Sequence, residues 1–230
     1  RAATEGHHLD DRARSASPFG GATPVMAIVN RKLSKDFYRR SDVVGIARDL
    51  LGQILVTRIN GTPTAGYITE TEAYAGISDR ASHAFGDRNT PRTRIMYLEG
   101  GVAYVYLIYG IHSLFNVVTN QEGIPHAVLV RSLFPFKGIE VMTDRRGRQL
   151  LPDKLCTGPG SVSRALGIHF SDTGTDLLGD RIWIERNELQ LPDTRIRQGP
   201  RIGVDYAGPD ALLPYRFHVR HPDLKSLWKL

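Results

Sequence analysis

The feature that most constrains the fold of this chain is the pair Asn60-Gly61, which separates two strand-like stretches. Residues 53–59 before the pair alternate between polar and apolar and are rich in β-branched side chains, and residues 66–74 after it read as the next strand. Asn and Gly both tolerate the positive φ angles that a two-residue hairpin turn requires. The pattern therefore predicts two antiparallel strands joined at residues 60 and 61.

Further elements follow from short apolar runs and from helix-boundary residues. Strands are predicted at residues 102–109, 114–119, 127–134 (ended by Pro135), 182–185 and 216–219. Helices are predicted at 41–51 (capped by Ser41), from Thr90-Pro91 onward, near 138–146, and from Gly158-Pro159 to Gly167. The hairpins favour an α+β fold, a single mixed domain around a mostly antiparallel curved β-sheet with flanking helices.

The first 25 residues differ from the rest of the chain. They are rich in Ala, Ser, Gly, Arg and His and have no periodic apolar pattern, so we predict a disordered leader over residues 1–25. No internal repeat or change in composition divides the remainder. Residues 26–230 are therefore predicted to form one domain, with order beginning near Leu33.

Charge and cysteine content narrow the class of protein. The net charge of +6 suits a polyanionic partner such as a nucleic acid, although many basic proteins bind nothing anionic. The single cysteine, Cys156, excludes an intrachain disulfide and a zinc site made of cysteines, and it fits a reducing compartment. No apolar run approaches the roughly 20 residues of a membrane span, and no signal-peptide core is present, so a membrane protein is not predicted.

The strand at residues 66–74 carries two carboxylates. Because side chains alternate along a strand, Glu70, Glu72 and Tyr74 are predicted to share one face. Either carboxylate could act as a general base, or the strand could simply present a solvated polar face. We prefer Glu72 because it lies nearer to the following loop, where a substrate can reach it.

The polar loop at residues 75–89 contains His83, which is either a structural hydrogen-bonding residue or part of a site. Metal binding is not predicted, because the His-Glu-x-x-His pattern is absent and neither His112 nor His126 supplies ligand spacing.

A row of tyrosines follows on the predicted strand at residues 102–109. Tyr104 and Tyr106 share one face, and Tyr109 lies on the other face beside Gly110. The row could be aromatic core. Tyrosine carries a polar tip, however, and so also suits a half-wet cleft that holds a flat ring such as a nucleobase.

Two polar residues interrupt apolar strands. Asn116 must either find hydrogen-bond partners or discriminate a ligand. Arg131 is costly to bury unless it is paired, and Glu72 is the expected partner. A basic set could meet phosphates, although each member could equally be a solvated charge: Arg88, Arg92, Arg94, Arg195, Arg197 and Arg201.

With these residues in place, the chain resembles the alkyladenine (3-methyladenine) DNA glycosylase family, whose members excise alkylated purines without a strand-cleaving step. The matching stretches occur in the family's order between residues 33 and 220: 47–52, 70–74, 79–83, 90–92, 104–110, 116, 128–131 and 156–159.

The resemblance implies a role for each matching position. Glu72 would be the general base that deprotonates water, and Arg131 would help to position the carboxylate and the water. Tyr109 would be the wedge that enters the minor groove and fills the gap left by the flipped nucleotide. The remaining positions would form the base pocket: Tyr74, His83 and Tyr106 as walls, the backbone amide of His83 reading the purine edge, and Asn116 rejecting the exocyclic amine of guanine.

The resemblance also implies partners and surroundings. The partner would be double-stranded DNA that contains damaged purines of the 3-methyladenine, hypoxanthine and ethenoadenine class, bound by a monomer that uses neither a metal nor an organic cofactor. The location would be the cytoplasm, associated with the nucleoid, in a bacterium, or the nucleus in a eukaryote.

Two other functions stay open. One is a damage-binding protein of the same fold with little turnover. The other is a glycosidase acting on free nucleosides, which would leave Tyr109 and the basic residues without a role. A binder would lose affinity steeply with salt but release no base, whereas a nucleoside glycosidase would bind DNA poorly.

Overall fold

The hairpin predicted at residues 60 and 61 forms the centre of a sheet in the computed structural model, which describes residues 31–188 and 191–228. The described residues group into one compact unit, and the predicted leader, residues 1–25, lies outside them. The strands are β1 (Ile54–Ile59), β2 (Thr62–Tyr74), β3 (Ala103–Ile108), β4 (His112–Thr119), β5 (His126–Lys137), β6 (Ile182–Glu185), β7 (Arg197–Gly199) and β8 (Arg216–His218). The helices are α1 (Lys35–Tyr38), α2 (Val43–Asp49), α3 (Ile139–Arg146), α4 (Pro152–Leu155), α5 (Pro159–Leu166) and α6 (His221–Trp228).

The sheet is antiparallel and has the order β3-β4-β5-β2-β1-β6, with β8 pairing with β2 and β7. Strand β2 is its centre, since it pairs with β1, β5 and β8. The predicted α+β class is therefore confirmed. The prediction omitted β7, α1, α4 and α6. Elements of three or four residues, such as β7, α1 and α4, leave little periodic signal in the sequence.

The two-residue turn is present as predicted. Asn60 and Gly61 have φ angles of 52° and 77°, and Ile59 pairs directly with Thr62. Strand β2 therefore starts four residues earlier than the sequence pattern indicated, because the ladder begins immediately after the turn.

The prediction that Pro135 ends its strand was wrong, since β5 continues to Lys137. The pairing with β2 shifts register between Ala65 and Gly66, and Pro135 lies opposite Gly66 at this irregularity. A proline is tolerated where the ladder is already interrupted. Gly66 also suits this position, because a Cβ atom there would lie only 3.0 Å from the carbonyl oxygen of Phe134.

Two predicted helix starts were also wrong. Asp42 rather than Ser41 precedes α2, and its side chain makes no capping bond because it binds the guanidinium of Arg40, with Arg40 Nη2 2.7 Å from Asp42 Oδ2. Thr90-Pro91 opens only a turn before a 3₁₀ helix at Arg94–Tyr97. The backbone N–H of Thr90 donates to Thr93 Oγ1 at 2.8 Å, so side-chain bonds replace those of an α-helix.

Alternate residues along each strand face opposite sides of the sheet, and the two sides have different surroundings. One set packs in the main core with helices α2 and α5, and includes Val105, Phe115, Val117, Val128 and Val130. On the same side of the sheet, the buried hydroxyl of Thr71 donates to the carbonyl of Ala47 in α2 at 2.6 Å. The alternate residues of β3, β4 and β5 therefore face the opposite side of the sheet, where the cavity described below lies. No helix in the described ranges combines the length and the apolar character that a membrane crossing needs.

Candidate active site

One cavity of about 540 Å³ lies over the face of β2–β5 that points away from the main core. Its lining combines alternate strand residues with the loop at residues 81–83, the start of α5 and the segment 202–206. Six of the seven residues for which the sequence predicted a role line it directly: Tyr74, His83, Tyr106, Tyr109, Asn116 and Arg131.

The seventh, Glu72, is fully buried directly behind this wall. It contacts three residues that do line the cavity. The Ile202 N–H donates to Oε1 at 2.8 Å, the Tyr74 hydroxyl donates to Oε2 at 2.8 Å, and Arg131 Nη1 lies 3.4 Å from Oε1. A carboxylate has about four acceptor positions, so these contacts leave room for a further donor such as water.

The ionisation of Glu72 reflects competing influences. Burial raises the pKa of its carboxyl group, while Arg131, the Ile202 amide and the Tyr74 hydroxyl lower it. Burial prevails, so the pKa lies above its ordinary value. A carboxylate with a raised pKa is a stronger base than one in water, which suits proton abstraction.

The structure distinguishes the two carboxylates that the sequence left as alternatives. Oε1 of Glu70 accepts from Arg131 Nε at 3.1 Å and from Arg216 Nη1 at 2.9 Å. Two arginines thus bind the Glu70 carboxylate, which makes no hydrogen bond to the wall residues Tyr74 or Ile202. Arg131 is paired as expected with Glu72, and it is shared with Glu70.

Aromatic side chains form the cavity walls. The rings of His83 and Tyr106 meet edge to face with centroids 4.6 Å apart, and those of Tyr104 and Tyr106 are 5.4 Å apart. Tyr104 and Tyr106 share one face as predicted. Tyr104 is almost fully buried, whereas Tyr106 and Tyr74 are half-buried and present ring surface to the cavity.

His83 is held by the hydroxyl of Tyr104, which lies 2.8 Å from Nδ1. Burial, followed by the positive charges of Arg92 and Arg88, lowers the pKa of His83 to about 4. The ring is therefore neutral near pH 7. A neutral ring adds no positive charge to the cavity that would repel a cationic base.

Asn116 is buried on β4 and lines the cavity. Its Nδ2 donates to the carbonyl oxygens of Tyr104 at 3.1 Å and Leu114 at 3.2 Å. These bonds satisfy the amide protons and fix the orientation of the side chain. They also place a rigid polar group at the cavity wall, so the two sequence interpretations of Asn116 are compatible.

Tyr109 lies at the tip of the β3–β4 hairpin, in the turn formed by residues 109–111. Its side chain is 86 % exposed and its φ angle is 53°. A left-handed conformation costs a non-glycine residue roughly 1–2 kcal/mol. The neighbouring Ile111 is also exposed, so the tip presents an apolar edge at the mouth of the cavity.

Arg201 was wrongly grouped with the phosphate-facing residues, because its side chain is buried. Its Nη1 and Nη2 lie 2.5 and 2.9 Å from the two carboxylate oxygens of Asp79. Its guanidinium lies between the rings of Tyr74 and Tyr215, at 4.9 and 5.2 Å from their centroids. This pair joins the loop after β2 to the segment that supplies the Ile202 amide.

Sequence reasoning assigned no role to Asp79, although this residue lies in the matching stretch 79–83, and none to Ile202. Asp79 is 122 residues from its partner, and Ile202 acts through its backbone, so neither leaves a local signal.

The other five basic residues are exposed, although Arg195 Nη1 lies 3.3 Å from Asp223 Oδ1 and the guanidinium of Arg92 lies 5.0 Å from the Tyr106 ring centroid. Within the described part of the chain, no three His, Cys, Asp or Glu side chains are grouped to hold a metal ion.

Comparison with known proteins places this chain in a family. The Methylpurine-DNA glycosylase family matches residues 36–223. A Chlamydia abortus protein provisionally named 3-methyladenine DNA glycosylase is 43% identical over 192 residues, which are 82% of this chain and 100% of the relative. Relatives with the same provisional name are 41% identical in Clostridium acetobutylicum (86% of this chain, 98% of the relative) and in Bacillus cytotoxicus (83% and 97%). The chain therefore belongs to the methylpurine-DNA glycosylase family and is a DNA glycosylase.

Proposed function

We propose that this enzyme flips alkylated or deaminated purines out of duplex DNA and removes them by hydrolysis, with Glu72 as general base. Its substrates are of the 3-methyladenine, hypoxanthine and ethenoadenine class. The observation that carries the proposal is a buried carboxylate with a raised pKa, paired with Arg131 behind a tyrosine-lined cavity.

The chemistry follows from the charge that develops on the sugar. As the bond between the anomeric carbon and the purine nitrogen breaks, its electron pair leaves with the base and positive charge builds on the deoxyribose. Glu72 stabilises this charge and takes a proton from water, whose oxygen bonds to the anomeric carbon. An alkylated purine that already carries a positive charge leaves as a neutral molecule.

The cavity supplies recognition of the base. Tyr74 and Tyr106 provide ring faces for stacking, which is worth roughly 1–3 kcal/mol per base and more for a cationic purine. The His83 backbone amide reads the purine edge, and Asn116 excludes the exocyclic amine of guanine. Extrusion costs least for a damaged or mispaired base, which adds selectivity.

The lining of the cavity favours hydrolysis without strand cleavage. None of the lining residues that the structure describes is a lysine, so the cavity offers no side-chain amine for a covalent imine with the sugar. The enzyme thus leaves an abasic site in an intact strand.

We propose further that the enzyme acts as a monomer in the bacterial cytoplasm, associated with the nucleoid, since the relatives named above are bacterial. Its exposed arginines would contact the phosphates: Arg88, Arg92, Arg94, Arg195 and Arg197.

The test is base release from duplex oligonucleotides that carry one hypoxanthine or one ethenoadenine, together with 3-methyladenine release from methylated DNA. We expect free base, and strand breaks only after hot alkali. Breaks before alkali would contradict the monofunctional step. Tight, salt-sensitive, lesion-specific binding without release of any of the three bases would instead indicate a damage-binding protein.

A pH dependence is expected from Glu72. Methylated DNA is the substrate to use, because its cationic bases need no proton in order to leave. Activity should fall as the pH drops through the pKa of Glu72, above the ordinary glutamate range, since only the unprotonated carboxyl accepts a proton. Single-turnover rates between pH 4 and 9 test this. An acid limb centred at or below the ordinary glutamate pKa of about 4.3 would contradict the assignment.

Substituting the hairpin tip should weaken lesion binding without affecting the fold. Tyr109→Ser removes the ring that fills the gap in the base stack, at a cost of roughly 1–3 kcal/mol, or about 5- to 150-fold in Kd. Fluorescence anisotropy with an ethenoadenine duplex measures the change. Leu151→Ser, at a 70 % exposed site outside the cavity lining, is the matched control. Equal affinity in the two variants would argue against a wedge.

A further inference from the structure

The carboxylate that is not the proposed base occupies a defined place behind it. Glu70 Oε1 accepts from Arg131 Nε at 3.1 Å, while Nη1 of the same guanidinium lies 3.4 Å from Glu72 Oε1. The side chains of Glu70 and Arg131 are only 17% and 11% exposed. One largely buried cation is therefore shared between two carboxylates.

A second arginine extends this arrangement. Arg216 Nη1 donates to Glu70 Oε1 at 2.9 Å, and Arg216 Nε donates to the carbonyl of Pro200 at 2.9 Å. Pro200 is two residues before Ile202, whose amide binds Glu72. Glu70 thus reaches Glu72 by two routes, one through Arg131 and one through the 200–202 segment.

We propose that Glu70 is a positioning residue for base release, which holds the Arg131 guanidinium against Glu72 and offsets its positive charge. The proposal rests on the proposed role of Glu72 as general base. A salt bridge with only a structural role would leave the pKa of Glu72 unchanged, whereas this arrangement influences it.

The electrostatic reason is that Arg131 acts on Glu72 in two opposed ways. Its charge stabilises the carboxylate and lowers the pKa of Glu72, which would make a weak base if uncompensated. Burial is the largest influence in the opposite direction, and the negative charge of Glu70, a smaller influence, adds to it and raises that pKa. Glu70 therefore holds the arginine that orients the carboxylate and, together with burial, helps to keep the carboxylate basic.

Other titratable and charged groups face the two carboxylates and stay constant in the test below. They are Tyr74 on β2, Tyr106 on β3, His218 on β8, and Arg201 and Tyr206 in the segment between β7 and β8.

Glu70→Gln and Arg216→Gln should move the acid limb of the single-turnover pH profile in opposite directions. Glu70→Gln keeps an acceptor oxygen for both arginines but loses the charge. The pKa of Glu72 then falls, the limb moves to lower pH, and the plateau rate falls several-fold. Arg216→Gln removes a cation and leaves the charge of Glu70 less compensated, so the limb moves to higher pH.

Glu99→Gln is the matched control, because Glu99 also bridges two basic side chains, Lys35 and Arg39, outside the cavity lining. Its profile should match that of the wild type. A purely structural role for Glu70 would lower rates and thermal stability without moving the limb, and that result would overturn the proposal. Should Glu70→Gln fail to fold, an unmoved limb in Arg216→Gln would overturn it equally.

A measurement that needs no turnover separates this proposal from the proposed function. The Glu72 carboxyl carbon can be titrated by ¹³C NMR in the free protein and assigned by its loss in Glu72→Gln. Its pKa should fall in Glu70→Gln and rise in Arg216→Gln. If the wild type releases no base, the proposed function fails, while these two shifts still decide the role of Glu70. Unmoved titrations would overturn that role even in an active enzyme.

Discussion

Glu72→Gln should bind a lesion-containing duplex as tightly as the wild type and release base at least about 10²–10⁴-fold more slowly. The amide cannot accept a proton from water, and it carries no charge to stabilise the developing cation. It can keep the local bonds, because its oxygen accepts from the Ile202 amide while its NH₂ group donates to the Tyr74 hydroxyl. Arg131 retains Glu70 as a partner, so the fold should survive.

Two measurements separate chemistry from binding in this variant. Single-turnover release gives the rate, and anisotropy with an ethenoadenine duplex gives Kd. Glu122→Gln, at an exposed position, controls for the loss of one negative charge. A wild-type rate of base release in Glu72→Gln would show that Glu72 is not the general base. Loss of both binding and release would point to a folding or positioning defect.

Asp79→Asn should destabilise the protein by about 3–5 kcal/mol, because it leaves the guanidinium of Arg201 buried without a counter-charge. Arg201 also donates to the carbonyls of Ala73 and Asp210, and Asp79 accepts from the Ala75 and Ala81 amides. The change therefore weakens three segments at once. Base release should fall as well, since Tyr74 and the Ile202 amide both depend on this pair for their position.

Urea unfolding provides the measurement. Asp193→Asn is the matched control, because Asp193 is 81% exposed and pairs with Arg48 at the surface. Exposed pairs contribute about 0–1 kcal/mol. A similar loss in both variants would show that the Asp79–Arg201 pair is no more important than a surface pair.

The elements that the sequence predicted correctly are those determined by neighbours along the chain. The Asn60-Gly61 turn depends on local φ preferences, and the shared face of Tyr104 and Tyr106 depends on strand periodicity. Pro135 and Thr90 were misread for a related reason. A register shift accommodates the proline, and a hydroxyl replaces the expected helical bond, so local preference was overridden by a specific contact.

The candidate site required contacts between distant segments. Periodicity placed Glu70 and Glu72 on one face but could not rank them, and the preference for Glu72 rested only on its nearness to a loop. The physical difference is that Glu70 is bound by two arginines, whereas Glu72 receives a backbone amide from residue 202. The sequence contains no local pattern for that amide, and none for the Asp79–Arg201 pair.

The β3–β4 hairpin links two parts of the proposed reaction mechanically. Tyr106 in the cavity wall and Tyr109 at the tip are three residues apart on the same chain, so their Cα atoms are at most about 10 Å apart. Tyr106 lies in the ladder between β3 and β4, and Tyr109 lies in the tight turn directly after β3, so their separation is fixed by the hairpin. In the proposed reaction, the depth to which Tyr109 enters DNA is therefore coupled to the depth to which a base enters the cavity. In that reaction, a lesion too bulky to seat fully in the cavity would hold Tyr109 partly out of the helix, so the size of a base would affect how well the hairpin tip fits the DNA.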